Sequence, residues 1–343
     1  MKILTFVIPA YNSESFLDKC ISGMLQTEVL PKLEIIVVND GSKDATKDVA
    51  QKYCDLYPDV VRLISQENKG HGGALNTGCA AARGKYLKVI DADDWIVGKN
   101  LPYFVELLEQ CDSDVILTHF HTVDITTGEV RKWQTYPKVF GKAVSLDTVM
   151  SNWRSYYRCM TLHGITYNTD FYRTHGIALS EHVFYEDYEY ATFPCCHADS
   201  IMPLDLFVYN YRIGDVNQSV SEASRLKRIG HLETVLSRLI QENHLASSLP
   251  EGGKDYIVTK TQELLLSYFT TALLINPNKK NGRRAAGRIM EQFKEQMPEA
   301  AAMAKRKYQI FCMMNRLHLS KKTWDAFLNS CFYHRLRKDR SVD

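Results

Sequence analysis

The stretch Tyr86–Trp95 reads YLKVIDADDW. Its first half, YLKVI, has the apolar content of a buried strand, and three carboxylates, Asp91, Asp93 and Asp94, follow within four positions. Ionised carboxylates crowded this closely repel, so the fold must supply a cation, hydrogen-bond donors or water. A lone Asp at a strand end reads as a turn or helix cap. Three together point instead to a hard cation, because Mg²⁺ or Mn²⁺ takes one or two protein carboxylates and completes its shell with phosphate and water oxygens.

Working outward, the first hundred residues alternate between two periods. Apolar runs at Ile3–Ile8, Glu34–Val38, Val61–Ile64 and YLKVI read as strands. Between them, a helical pattern starts at Ser13, a polar helix spans Lys43–Tyr57, and the small, alanine-rich Gly72–Arg83 forms a third helix. Such alternation predicts right-handed crossovers and an α/β, doubly wound, mostly parallel sheet. Ligands of these sheets bind outside the carboxyl ends of the strands. Three polar clusters fall there: Pro9-Ala10-Tyr11-Asn12, Asn39-Asp40-Gly41-Ser42 and Asp91-Ala92-Asp93-Asp94.

Beyond Trp95 the pattern turns mixed and aromatic-rich, with a helix over Leu101–Cys111, a strand over Val115–Phe120, and strand-like pieces near Val139 and at Leu206–Tyr211. Helical spacing returns over Leu226–Asn243, Lys254–Leu274, Gly282–Gln296 and Trp324–Leu336. The polar NQSVSEAS places the expected boundary, giving 1–220 as a sheet-containing domain, with halves 1–97 and 98–220, and 221–343 as a helical C-terminal appendage.

A chain of 343 residues with 45% hydrophobic and 24% charged side chains can build an ordinary globular core. A net charge of +2 gives no reason to expect a nucleic-acid partner. From Lys305 onward, however, ten basic residues face three acidic ones among many aromatics, a mixture suited either to an anionic membrane surface or to packing of the appendage. Nine cysteines lack a spaced framework, and Met1-Lys2 runs directly into a strand-like ILTFVIP, so no signal peptide is expected. A cytoplasmic protein is expected, with peripheral placement on the inner face of the plasma membrane as its membrane-bound form. Cys195-Cys196-His197 is a poor zinc motif, since adjacent side chains on an extended segment point to opposite faces and a second ligand pair is missing.

The motifs FVIPAYN, IIVVNDGSKDAT, ENKGHGGALNTGCAAARGKY and LKVIDADDW, in this order, resemble the nucleotide-sugar-binding half of the family 2 glycosyltransferases, which adopt the Rossmann-like GT-A fold. The resemblance implies an inverting, metal-dependent hexosyltransferase. It would move sugar from a nucleotide-sugar donor, usually a UDP-sugar, to a carbohydrate or lipid-linked acceptor hydroxyl in bacterial surface polysaccharide or glycoconjugate synthesis. It implies Mn²⁺ or Mg²⁺ held by Asp93 and Asp91, with Asp91 also near the ribose, Asp40 at the base, and Pro9, Ala10, Tyr11 and Asn12 lining the pocket. Relatives carry Ala-Arg-Asn where this chain has Ala74-Leu75-Asn76, so Lys69, Gly70 and His71 stand as substitute donor contacts beside Asn76. In HVFYEDYEY, Asp187 is the expected general base with Glu186 as its alternative, and Arg212 in YNYRIGD would steady the leaving diphosphate. The competing reading is a non-catalytic nucleotide-sugar-binding or scaffold protein of the same fold. A dinucleotide-dependent oxidoreductase would need a glycine fingerprint where PAYN stands.

Overall fold

The computed structural model describes residues 1–215, 222–245 and 249–329. Among these, 1–215 with 244–245 and 249–257 form one compact unit, and 222–243 with 258–329 form a second.

The first unit is built on one sheet. Strands β1 (Leu4–Ala10), β2 (Leu33–Asp40), β3 (Val61–Gln66) and β4 (Tyr86–Val89) are joined by helices α1 (Glu14–Ser22), α2 (Thr46–Leu56) and α3 (Gly70–Ala81). These four strands are parallel, in the order β3-β2-β1-β4. β1 and β2 are buried along their whole length, as their unbroken apolar runs require of strands covered on both faces. The small composition of α3 has a steric cause. A Cβ on Gly78 would lie 2.3 Å from Val7 Cγ1 and 3.1 Å from Val38 Cγ2, so only glycine allows the helix to approach the sheet this closely.

Past β4 the sheet becomes mixed. It continues through β8 (Ile165–Asn168), β6 (Val115–Asp124), β9 (Ile201–Ile213) and β5 (Trp95–Ile96), with β7 (Val130–Trp133) on β6. β8 is antiparallel to β4 and β6, whereas β9 runs parallel to β6. The strand expected near Val139 is absent; that segment makes only an isolated bridge, Val144 to Ile201. The fold is α/β as expected, parallel in its first half and mixed in its second.

Residues 249–257 complete the first unit: Tyr256, fully buried, donates its hydroxyl to the Ala191 carbonyl at 2.7 Å, and the Gly252 N–H donates to Asp147 at 2.6 Å. The expected division at 220 lies outside the described residues, and the compact units depart from a single cut in this returning segment.

The second unit is helical. It contains Lys279–Gln296 and Pro298–Arg316, the latter a helix that the sequence spacing had not marked. Asn315 is fully buried and accepts from Arg283 while its amide donates to the Leu273 carbonyl at 2.6 Å. Phe311 and Met314, which lie within the basic tail that starts at Lys305, belong to this core, and Trp324 packs edge-on to Phe311. The part of that tail beyond 329, including the end of the helix expected to Leu336, lies outside the described residues. Among the described residues no helix is long and apolar enough to cross a membrane.

Candidate active site

The loops after β1 and β2 are tied to each other. Asn12, in the left-handed region at φ 49°, accepts from the Lys43 N–H at 2.9 Å, and its own N–H donates to Ser42 Oγ at 3.1 Å. Pro9 and Ala10 end the buried strand, and Tyr11 is exposed beside them. Asp40, at the end of β2, is buried. Its Oδ1 accepts from Gln66 Nε2 at 2.7 Å and from the Lys69 N–H at 2.9 Å. That contact needs the tight turn at Gly41, whose φ is 72° and whose added Cβ would sit 2.9 Å from the Asn68 nitrogen.

At the end of β4 the three carboxylates separate into different environments. Asp94 is buried; its Oδ2 accepts from the Tyr209 hydroxyl at 2.5 Å and its Oδ1 from the Arg212 N–H at 2.7 Å. Asp93 is half-exposed and lies 3.5 Å from the Arg212 guanidinium, which also pairs with Asp215 at 3.1 Å and lies over the Phe16 ring. Asp91 Oδ1 is 2.9 Å from His71 Nε2.

His71 joins the two halves of the unit. Its Nδ1 lies 2.5 Å from Glu186 Oε1, so each ring nitrogen faces a carboxylate. Only the imidazolium can donate at both nitrogens. Burial works against that charge, but Asp91 and then Glu186 outweigh it and hold the His71 pKa well above its ordinary value. Glu186 is buried, and Gly72 makes room for it: a Cβ there would come within 3.0 Å of Glu186 Cγ. Glu186 therefore supports His71, and the neighbouring Asp187 opens the short helix Asp187–Thr192, half-buried.

Burial raises the Asp91 pKa, but the His71 charge, with His163 adding to it, brings it below the ordinary value. Burial and then Asp91 raise Asp93, with Arg212 opposing. Burial, Asp91 and Asp93 drive Asp94 well above the carboxylate range despite its two donors. His163 is pushed down to about 4 by burial, against Asp91 and with Lys88, so its ring is neutral near pH 7. The Tyr211 hydroxyl is raised by burial, then by Asp94, Asp91, Asp187 and Asp93. Asp187 is thus within electrostatic reach of the same tyrosine as the Asp91–Asp94 carboxylates.

One ligand atom from each of Asp91, Asp94 and His163 lies within 4.8 Å of the others. Two carboxyl groups and a neutral imidazole would suit a divalent ion such as Mn²⁺, with Asp94 giving up its proton to the ion's charge. The expected pair was Asp93 with Asp91; in the structure Asp91 is grouped with Asp94 and His163, while Asp93 faces Arg212.

Other expected contacts fall elsewhere. The Asn76 amide is committed on both sides to Leu179, donating to its carbonyl at 2.9 Å and accepting from its N–H at 2.8 Å, so it pins the loop before Glu186 instead of facing a ligand. Gly70, at φ 77°, allows close approach of the His182 backbone, and the Lys69 ammonium pairs with Glu181 at 3.6 Å. Cys195 and Cys196 are buried and belong to no metal-ligand cluster among the described residues. The site residues that sequence reasoning left unassigned are Asp94, Tyr209, His163 and Lys88. The only signal for Tyr209 was its nearness to Arg212 in YNYR. Lys88, fully buried, donates to the His163 and Ile165 carbonyls at 2.9 and 3.0 Å.

Residues 5–186 match the family model described as Glycosyl transferase family 2. The putative glycosyltransferase EpsH of Bacillus subtilis is 39% identical over 93 residues, which are 27% of this chain and 26% of that protein. The match thus spans about a quarter of this curated relative. Among solved structures, S. aureus TarS in complex with UDP-GlcNAc superposes with a TM-score of 0.62 at 18% identity, covering 93% of each chain. The mannosyltransferase PcManGT of Pyrobaculum calidifontis, in complex with GDP-Man and Mn²⁺, gives 0.51 at 16% identity, covering 91% of this chain and 84% of that one. At these identities the two structures establish the fold.

Proposed function

Because the chain belongs to glycosyl transferase family 2, we propose that it transfers a sugar from a nucleotide-diphosphate donor, a UDP-sugar, to an acceptor hydroxyl with inversion. The observation that carries this reading is the convergence of Asp40, Asp91, Asp94 and Arg212 at the carboxyl ends of β2, β4 and β9, with Asp187 in electrostatic reach. The UDP-GlcNAc complex of the TarS neighbour supports the choice of uridine.

In this reading Asp40 receives the base and the clasped loop at Asn12 lines the nucleoside pocket. Asp187 takes the proton as the acceptor oxygen bonds to the anomeric carbon. The bond from that carbon to the diphosphate oxygen breaks on the opposite face, and the electron pair leaves with the diphosphate. Arg212, anchored between Asp93 and Asp215, stabilises the departing charge. Asp91, Asp94 and His163 would hold Mn²⁺ or Mg²⁺, which when bound supplies further charge neutralisation at the diphosphate. Surface glycan synthesis in a bacterium is the setting we infer. The exposed Lys305, Arg306 and Lys307 would serve contact with an anionic membrane face.

Calorimetric titration with UDP and GDP, with and without Mn²⁺, tests the reading. UDP should bind only with Mn²⁺, and Asp91→Asn should abolish binding. Retention in Asp93→Asn would favour the Asp91–Asp94–His163 cluster over the Asp91–Asp93 pair. Failure of both nucleotides to bind the folded protein would overturn the transferase and favour the scaffold.

A further inference from the structure

One face of the sheet carries an aromatic row that leads away from the carboxylates. Tyr209, bonded to Asp94, is in register with Phe120 on β6, and Phe120 is in register with Trp133 on the edge strand β7. The Phe120 and Trp133 rings stack nearly parallel, 5.8 Å apart at 3°. His163 fills the inner end, 4.2 Å from the Tyr211 ring, 5.0 Å from Tyr209 and 5.2 Å from Phe120. Two strand spacings separate Tyr209 from Trp133, about 10 Å.

At the outer end the row emerges into solvent. Trp133 is 37% exposed, and Tyr136, three residues on, is 58% exposed. The backbone there is fixed: Cys159 Sγ lies 3.6 Å from the Trp133 carbonyl, and the Tyr136 N–H donates to the Ser155 carbonyl at 2.7 Å. The Arg158 guanidinium stands 6.0 Å from the Tyr136 ring and 5.7 Å from the Tyr157 ring, and its Nε donates to the Tyr157 hydroxyl. Among the described residues no carboxylate pairs with Arg158.

Trp133 and Tyr136 present exposed aromatic faces in a fixed frame, backed by the buried Phe120 that links them to the proposed site, and such faces match the weakly apolar C–H face of a pyranose. The ring's negative face attracts those slightly positive hydrogens. A guanidinium without a carboxylate partner at the same place selects for an anion. The geometry points to an acceptor subsite running from His163 to Trp133 and Tyr136, which takes an oligosaccharide of at least two sugars bearing an anionic group against Arg158. This assignment rests on the transferase reading, because the inner end of the row meets the proposed reacting centre.

The test is fluorotryptophan NMR of the whole chain, with resonances assigned by single substitutions, titrated with neutral chitotetraose and with tetragalacturonate. UDP with Mn²⁺ is titrated separately. Tetragalacturonate should shift the Trp133 resonance and leave Trp324 unmoved. Arg158→Ala should reduce its affinity about tenfold towards that of chitotetraose, and Tyr136→Ala should weaken both by about the same factor. By calorimetry, since these variants lack the reporting tryptophan, Trp133→Tyr should keep tetragalacturonate binding where Trp133→Ala loses it, which separates a stacking surface from a merely structural residue. UDP binding should be unchanged in every variant. An unmoved Trp133 resonance with both saccharides, while UDP binds normally, would overturn the subsite and leave the transferase reading standing. A Trp133 resonance that responds only to protein concentration would make the face a contact between copies of the chain and overturn the subsite as well. Loss of UDP binding in the unsubstituted protein would remove the reading on which the subsite rests.

Discussion

Residues 1–97 and 98–215 of the first unit, the halves proposed to serve donor and acceptor, place charged groups by different means. In the donor half, neighbouring crossovers clasp each other: Asn12 holds Lys43, and Asp40 holds the Lys69 N–H and Gln66. The acceptor half works at long range, reaching back with Tyr209 and Arg212 to Asp94, and with Glu186 to His71, across more than a hundred residues each. Local loops thus shape the cluster at the ends of β1 and β2, while distant residues tune the carboxylates at the end of β4.

The largest expected effect separates chemistry from binding. Asp187→Asn should lower the transfer rate by about 10²–10⁴-fold, the range for loss of a general base, with UDP affinity unchanged. If UDP affinity fell with the rate, Asp187 would belong to the donor half and the division would fail. A smaller effect concerns Lys88, whose burial lowers its pKa from 10.5 to about 7, Cys159 opposing. Between these values the unfolded chain binds a proton that the folded chain lacks, so the lysine makes stability rise with pH from about 7 towards 10. The gain is at most about 1.4 kcal/mol per pH unit. Urea melts at pH 7 and pH 9 should show the rise in the unsubstituted protein and its loss in Lys88→Met; equal slopes would mean that the lysine stays charged. The smallest effect belongs to the donor half. Asn12→Ala removes one exposed clasp and should cost about 1 kcal/mol or less in thermal unfolding, while weakening UDP binding measurably. A melt shifted with UDP affinity intact would make the clasp purely structural.

The same contrast explains what could be read from the sequence. β1, β2 and β4 were legible because strands buried along their whole length leave unbroken apolar runs, β3, an only partly buried edge strand, from its short apolar run, and α3 because its small residues follow from close packing on Val7 and Val38. β7 is exposed at all four positions and β8 has only four residues, so neither carries a periodic signal, while apolar residues around Val139 suggested a strand that does not form. His71 was legible as a polar residue in a glycine-rich loop, but its two carboxylates were not, because Glu186 is 115 residues away. For His163 the sequence left open a place near the phosphates or acceptor and a structural role among apolar neighbours, because its grouping with Asp91 and Asp94 depends on strand order. The Pro298–Arg316 helix escaped notice because its basic and aromatic residues suited a membrane surface as well as packing of the appendage; Phe311 and Met314, both core, agree with the packing alternative.

The segment that returns to the first unit after residue 243 has a consequence for inheritance. Tyr256 is fully buried there, and a Cβ on Gly253 would come within 2.2 Å of the Cys196 carbonyl, so the fit leaves no slack. A gene cut after codon 220 would encode the sheet without the piece that seals it, exposing the Ala191 carbonyl and the Trp153 ring that Tyr256 covers. Recombination therefore cannot lift the sheet out as a cassette at a single crossover point. The helical insert must be inherited with it or be bridged by a linker that carries 249–257 back into place.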